Sequence, residues 1–514
     1  MAKVPAKLWL LIMAMTVVKM IIAFNTNLGN DEVYYWTYAL DLQWNYFDHP
    51  PFVAWLIRVT TVNLWIHHEA AIRFGAILSS GICTWLIYQT GLFISDKRTG
   101  WYSALLYSAS LYCSVIAGTF ILPDSPQMVF WLWGILLLLK ISTATTQEMS
   151  TFKLWCWFGL ASGLCILCKV HGIFLWAAVF IIALFLTRKF LHQRGLYVAG
   201  FITLLIISPI IIWNIQHNFI TYAYHGQRVS LVSASINPLG LIREIGGEIF
   251  YNNPIIFFLT WLSVISAFKG KSTTGKKEIQ VLLACSLPLI LILILLSAFK
   301  ETLPHWSGPA YTCLIMLSAL KLSSRSPAKV PKVIIIALLF FAFIVLTGLI
   351  IVNYYPGSLA PEKDPMQYGK GDPTLDLYGW KETGRLIDSI HKKDISKGKM
   401  PVSAPIVITR WYPAAHIDFY VASLTAQNTH AIGKIFDLHQ YYWSNRIKLN
   451  KDDAAYYIVP SNLYSTGDAD LVRSHFKYCT PALILPVYRN GKMAKNVIVF
   501  KLKGYKHSTN KKGL

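Results

Sequence analysis

The chain has 514 residues, 54% of them hydrophobic and 14% charged, against roughly 25% charged in an ordinary soluble domain. A mean hydropathy of +0.45 excludes intrinsic disorder, collagen and a small disulfide scaffold; several apolar runs approach the ~20 residues needed to cross a bilayer. The net charge of +22 does not indicate nucleic acid, because most basic residues sit in short loops between apolar runs, where they set topology and contact anionic lipid.

About eleven transmembrane spans are predicted, near residues 8–24, 70–94, 101–117, 122–140, 153–168, 172–187, 196–213, 250–268, 279–298, 306–321 and 333–353. The first run lacks a small-residue cleavage site and reads as a retained helix. Seven of the eight cysteines fall in or beside apolar runs; Cys165 and Cys168, spaced C-x-x-C inside one, read as small core residues one turn apart. With the N-terminus inside, every second loop is basic: Lys97 and Arg98; Arg188, Lys189 and Arg194; Lys269, Lys271, Lys276 and Lys277; Lys321, Arg325, Lys329 and Lys332. Loops 25–69, 118–121, 169–171, 214–249 and 299–305, and everything after 354, then face outward.

The first outer loop opens Gly29-Asn30-Asp31-Glu32 and continues to Tyr46-Phe47-Asp48-His49-Pro50-Pro51. Residues 32–42 and 52–65 read as aromatic helices lying in the interface. Asp31 and Glu32 stand at the N-terminal end of the first of these, where an acidic cap favouring the helix dipole is the plainest reading. Asp124 begins the fourth span in the same way. Lys169 and His171 form a brief outer turn; Lys169 either snorkels to the interface or awaits a phosphate. His217, His225 and Arg228 follow, and Lys300, Glu301 and His305 close the set.

The tail after 354 alternates a helical pattern around Trp380, Leu386, Ile387 and Ile390 with β-rich runs at 405–409, 456–459 and 496–501. Asn490-Gly491 is a hairpin signal. A small soluble α/β or α+β domain is expected over 355–514, acting as a docking or lid module, behind a transmembrane domain over 1–354 that includes loop 25–69.

Each polar residue has a bland explanation alone. Together, five outer loops place acids, imidazoles and cations at one membrane face, where a buried charge is costly unless paired or used. Such a pocket suits transfer from a lipid-linked phosphate: cations hold the phosphate, and a carboxylate deprotonates an acceptor hydroxyl for attack on the anomeric carbon.

Asp31-Glu32, Tyr46-Phe47-Asp48-His49-Pro50-Pro51, Pro123-Asp124-Ser125-Pro126 and Lys169, in this order, resemble bacterial family 39-type glycosyltransferases, which belong with the protein O-mannosyltransferases and lipid A aminoarabinose transferases in the GT-C superfamily. Trp213-Asn214, Gln216-His217 and Pro304-His305-Trp306 fit the same pattern, and Asp376-Leu377-Tyr378-Gly379-Trp380 looks like that family's outer domain. The resemblance implies an inverting membrane enzyme with a polyprenyl-phosphate sugar donor and a lipid A, protein or glycan acceptor. It would work at the outer face of the bacterial inner membrane. The family's acidic pair maps to Asp31 as general base and Glu32 in substrate binding, or the reverse. Asp48, His49, Asp124, Lys169, His171, His225, Arg228, Lys300, Glu301 and His305 are the candidate substrate-binding residues. A divalent metal near Asp31, Asp48, His49 or His305 is compatible with these residue types, but their spacing forms no ligand motif and no cofactor is assigned. A transporter or flippase of a lipid-linked saccharide is the main alternative, without the broken half-helices or repeats such proteins show. A membrane scaffold is the third, and leaves the polar clustering unexplained.

Overall fold

Inside hydrocarbon every backbone N–H and C=O must be satisfied within its own segment, so long apolar runs have one outcome, the helix. A computed structural model describes residues 5–144, 148–230, 235–269, 276–324, 329–444 and 447–506; Lys271 and Arg325, used above for orientation, lie outside them. Among the described residues, seven helices are long and apolar enough to cross a membrane: Ala6–Asn25, Glu69–Ile94, Asp124–Thr143, Met149–Cys168, Arg194–Gln216, Lys276–Ser297 and Lys332–Tyr354. The other four expected spans are also helical but shorter or bent. They are Lys97–Ala109 with the π-turn Tyr112–Ile116, the apolar stretch Val170–Leu186, the helix Gly308–Ser323, and the pair Pro238–Tyr251 and Pro254–Phe268, bent by 102°. The protein is a mostly helical, multi-pass membrane protein.

Pro254 cannot continue the preceding helix, and Asn253 makes the bend with φ +68°. Its side chain is fully used there: Nδ2 donates to the carbonyls of Ala109 (3.0 Å) and Ala337 (2.9 Å), and Oδ1 accepts from Ile255 N–H (3.2 Å). Two glycines permit close approach nearby. A Cβ on Gly247 would stand 2.3 Å from the Pro304 ring, and one on Gly308 2.3 Å from the Tyr112 ring.

The chain divides into two compact units, residues 1–23 with 42–345, and 24–41 with 346–514. The sequence boundary at 354 lies close to this division, but the start of the first outer loop belongs to the second unit. The reason is a set of backbone-directed bonds: Asn27 N–H to Leu377 O (3.0 Å), Leu28 N–H to Tyr420 Oη (2.7 Å) and Trp380 N–H to Asn27 Oδ1 (3.0 Å).

The second unit contains a six-stranded sheet ordered β2-β1-β3-β6-β4, with β5 also on β6. The strands are β1 Ile406–Ile408, β2 Thr429–Ala431, β3 Ala455–Pro460, β4 Phe476–Cys479, β5 Leu483–Arg489 and β6 Lys492–Tyr505. β1 pairs in parallel with β2 and β3, whereas β6 is antiparallel to β3, β4 and β5. Alternate residues Ala455, Tyr457 and Val459 of β3 and Ile498, Phe500 and Leu502 of β6 enter one core, the period-2 pattern of a covered sheet. From the other face Tyr456 donates to Asp394 (3.0 Å), on the helix Trp380–Ser396. Asn490 and Gly491 turn the β5–β6 hairpin at φ +46° and +77°, as a two-residue turn of this hand requires.

Candidate active site

In the first unit, the segment after residue 42 is pinned before it reaches the polar residues. Gln43 accepts from Trp213 Nε1 (3.0 Å), and Asn45 Nδ2 donates to Thr221 Oγ1 (3.0 Å). A tight return from Tyr46 N–H to His49 O (3.1 Å) then presents Asp48 and His49, and Pro50-Pro51 lead into the helix Phe52–Thr60. Asp48 O accepts from His225 (2.8 Å), and the His49 and His225 rings stand 6.1 Å apart.

Asp124 is the first residue of the helix Asp124–Thr143 but makes no side-chain cap. Its Oδ2 lies 2.7 Å from Lys169 Nζ, and its Oδ1 accepts from the Tyr112 hydroxyl (2.9 Å). The Asp124 and Lys169 side chains are at most 5% exposed. Lys169 therefore does not snorkel; it ends the helix Met149–Cys168 as the inward half of a buried pair. Arg228, half-buried on the helix Ile220–Val229, lies 5.0 Å over Trp306 and 5.6 Å over Tyr224. The His171 ring is 5.7 Å from the same Trp306, and its Nδ1 is buried without a hydrogen-bond partner among the described residues. Burial, then His225 and Lys169, holds His49 well below the usual imidazole range. Burial, then Lys169, brings His305 down to about 4. His49 and His305 are thus neutral beside two fixed cations, as burial first and the crowding of positive charge second dictate.

The structure gathers His49, Asp124, Lys169, His171, His225, Arg228 and His305 in this unit, with Asp48 contributing its carbonyl. Lys300 and Glu301 stand apart. Glu301 is exposed and faces Arg243 at 3.6 Å. Tyr112 was missed in the sequence, where it is one aromatic among many in an apolar run.

Asp31 and Glu32 lie in the second unit, on the helix Asn30–Leu40. Asp31 is exposed and Glu32 buried. Capping falls to Glu32, whose Oε2 accepts from Gly29 N–H (2.9 Å), and to Asp376, whose Oδ1 accepts from Asn30 N–H (2.9 Å). Asp376 was quoted in the sequence only as part of a motif. Partial burial, then the charge of Asp31, pushes its carboxyl up to about 7. Behind it His416 stacks on Trp380 (3.9 Å) and bonds Leu28 O (2.9 Å), and Lys495 Nζ lies 3.9 Å over the Trp380 ring. Among the described residues, no three His, Cys, Asp or Glu side chains group so as to hold a metal ion.

Comparison with known proteins gives a consistent picture. The dolichyl-phosphate-mannose-protein mannosyltransferase family matches residues 48–213, the stretch carrying His49, Asp124, Lys169 and His171. Lipid A galacturonosyltransferase RgtD of Rhizobium johnstonii is 25% identical over 303 residues; the match spans 58% of this chain and 61% of that relative's length. The crystal structure of ArnT from Cupriavidus metallidurans in the apo state aligns with TM-score 0.61 at 12% identity, over 96% of this chain and 98% of that one. Its structure bound to undecaprenyl phosphate gives 0.60 at 14% identity over the same shares. The chain is similar to the GT-C membrane glycosyltransferases, as its motifs suggested. Its fold is that of ArnT.

Proposed function

We propose that this protein is an integral-membrane, inverting glycosyltransferase that moves a sugar from a polyprenyl-phosphate-linked donor to an extracytoplasmic lipid A, protein or glycan acceptor. The observation that carries this reading is the buried Lys169–Asp124 pair with Arg228 close to the same neutral imidazoles, in a membrane-embedded unit of ArnT-like fold. ArnT of that fold was crystallised with undecaprenyl phosphate. Lys169 and Arg228 hold the donor phosphate and neutralise the charge it gains as the anomeric C–O bond breaks. Asp31 takes the proton of the acceptor hydroxyl as its oxygen forms the new bond to the anomeric carbon from the opposite face. Glu32 fixes the helix start that presents Asp31. The site works on the periplasmic side of the bacterial inner membrane.

Purified protein incubated with labelled polyprenyl-phosphate sugars and candidate acceptors, read by mass spectrometry, is expected to give glycosylated acceptor and free polyprenyl phosphate. Intact donor moved across a proteoliposome bilayer, with no acceptor modified, would replace this reading with transport.

A further inference from the structure

The helix Pro238–Tyr251 carries Glu244 and Glu248 one turn apart, and Asn252, its C-cap, continues the same face one turn on. Glu244 is 0% exposed, Glu248 and Asn252 1%. Each spends one side-chain group on the protein. Thr302 donates to Glu244 Oε2 (2.5 Å), Tyr311 donates to Glu248 Oε2 (3.1 Å), and Asn252 Nδ2 donates to Glu248 O (3.0 Å). Glu244 Oε1 and Asn252 Oδ1 accept no hydrogen bond from any described residue, and the second oxygen of Glu248, a carboxyl beside which the Ser307 hydroxyl also stands, accepts none of good geometry. The adjacent cation Arg243 turns to Glu301 instead. A buried row of three acceptors without donors is costly for folding alone and is therefore evidence of a ligand.

One short segment ties this row to the cations. Thr302 bonds Glu244, Pro304 packs on Gly247, the His305 ring lies 6.3 Å from Tyr251, and Trp306 carries Arg228. A sugar bonded to a phosphate held by Lys169 and Arg228 has its hydroxyls within a ring's width of that phosphate.

We propose that Glu244, Glu248 and Asn252 form the sugar subsite of the donor, binding the O–H or N–H groups of a neutral or amino sugar and rejecting a uronate. The inference rests on the transferase reading above. Acceptor oxygens facing the sugar attract its O–H and N–H donors, whereas a sugar carboxylate would set further acceptors against them, so selection works by mismatch as well as by fit. This chain would then differ in its sugar from the relative named a galacturonosyltransferase.

The test uses the full chain in nanodiscs, with undecaprenyl phosphate alone and the same lipid phosphate bearing glucose, glucosamine or galacturonic acid. Wild type is expected to bind the glucose or glucosamine lipid at least about tenfold more tightly than the galacturonate lipid, and the better of the two identifies the sugar class. Glu244→Gln and Glu248→Gln are expected to lose about tenfold for that donor, with undecaprenyl phosphate alone bound as in wild type. A wild-type preference for the galacturonate lipid overturns the subsite, and needs no variant to fold. Donor affinities unmoved by both substitutions, with undecaprenyl phosphate bound normally, overturn the subsite alone. No binding of undecaprenyl phosphate by wild type overturns the transferase reading and the subsite with it.

Discussion

Asp124 in the first unit and Glu32 in the second both stand in the first turn of a helix, and their surroundings are opposite. Asp124 is met by an ammonium and a phenol, so its charge is balanced inside the protein. The neighbours at the start of the helix Asn30–Leu40 are further carboxylates, Asp31 and Asp376. A balanced carboxylate is held in one geometry by its partners. At the crowded helix start it is Asp376 whose carboxyl is pushed up, by burial first and then by the charge of Asp31. Under the proposed function, the first group places charge and the second removes a proton.

The sharpest way to break this contrast is Asp31→Asn. Asparagine serves a helix start about as well as aspartate, so a capping role predicts retained activity. Proton removal predicts a folded protein with donor binding intact and transfer reduced by about 10²–10⁴-fold in a single-turnover assay. Next is Lys169→Met, which leaves Asp124 buried and uncompensated. A stability loss of about 3–5 kcal/mol is expected in denaturant titration, relieved by adding Asp124→Asn, and donor binding should stay weak in the double variant. An unchanged midpoint for Lys169→Met would show that Asp124 is not held by this pair.

Arg228→Met should be milder, because Arg228 is half-buried against rings and, among the described residues, pairs with no buried carboxylate. About tenfold weaker binding of undecaprenyl phosphate, with an unchanged melting temperature, is the expected result. The smallest effect is a pH dependence. Asp376 holds its proton up to about 7 in the folded protein, whereas an unfolded chain releases it near 4. The folded state therefore binds the extra proton between these values, and stability falls as pH rises through that window. Asp376→Asn should flatten the melting temperature between pH 4 and 7; a slope equal to wild type would place the titration elsewhere.

These effects were legible to different degrees in the sequence. All eleven predicted spans are helical, since a long apolar run leaves the backbone no other partner. Asp124, Lys169, His171 and His225 stood out because ionisable residues are scarce among apolar ones. Asp376 could not be weighted, since its partner Asn30 lies 346 residues away. Glu244 and Glu248 fell within a stretch read as the outer loop 214–249, with Gly246-Gly247 weakening any helical signal. Their burial is visible only in the fold, where Thr302 and Tyr311 bond them. Similarly β2, three residues long, carries too little pattern to be read before its parallel pairing with β1 is known.

The split make-up of the second unit also orders events during synthesis. Residues 24–41 leave the ribosome early, yet the Leu28 N–H donates its hydrogen bond to a tyrosine 392 positions later. At roughly 5–20 residues per second, the helix bearing Asp31 waits on the order of tens of seconds for the strands and turns that fix it. The membrane helices between have time to insert before that helix is secured. Loss of the last few dozen residues removes β6, the strand on which β3, β4 and β5 all pair, so a truncated chain would carry its acidic residues without the framework that orients them. Synthesis of β6 thus acts as a checkpoint on the setting of a helix encoded far upstream.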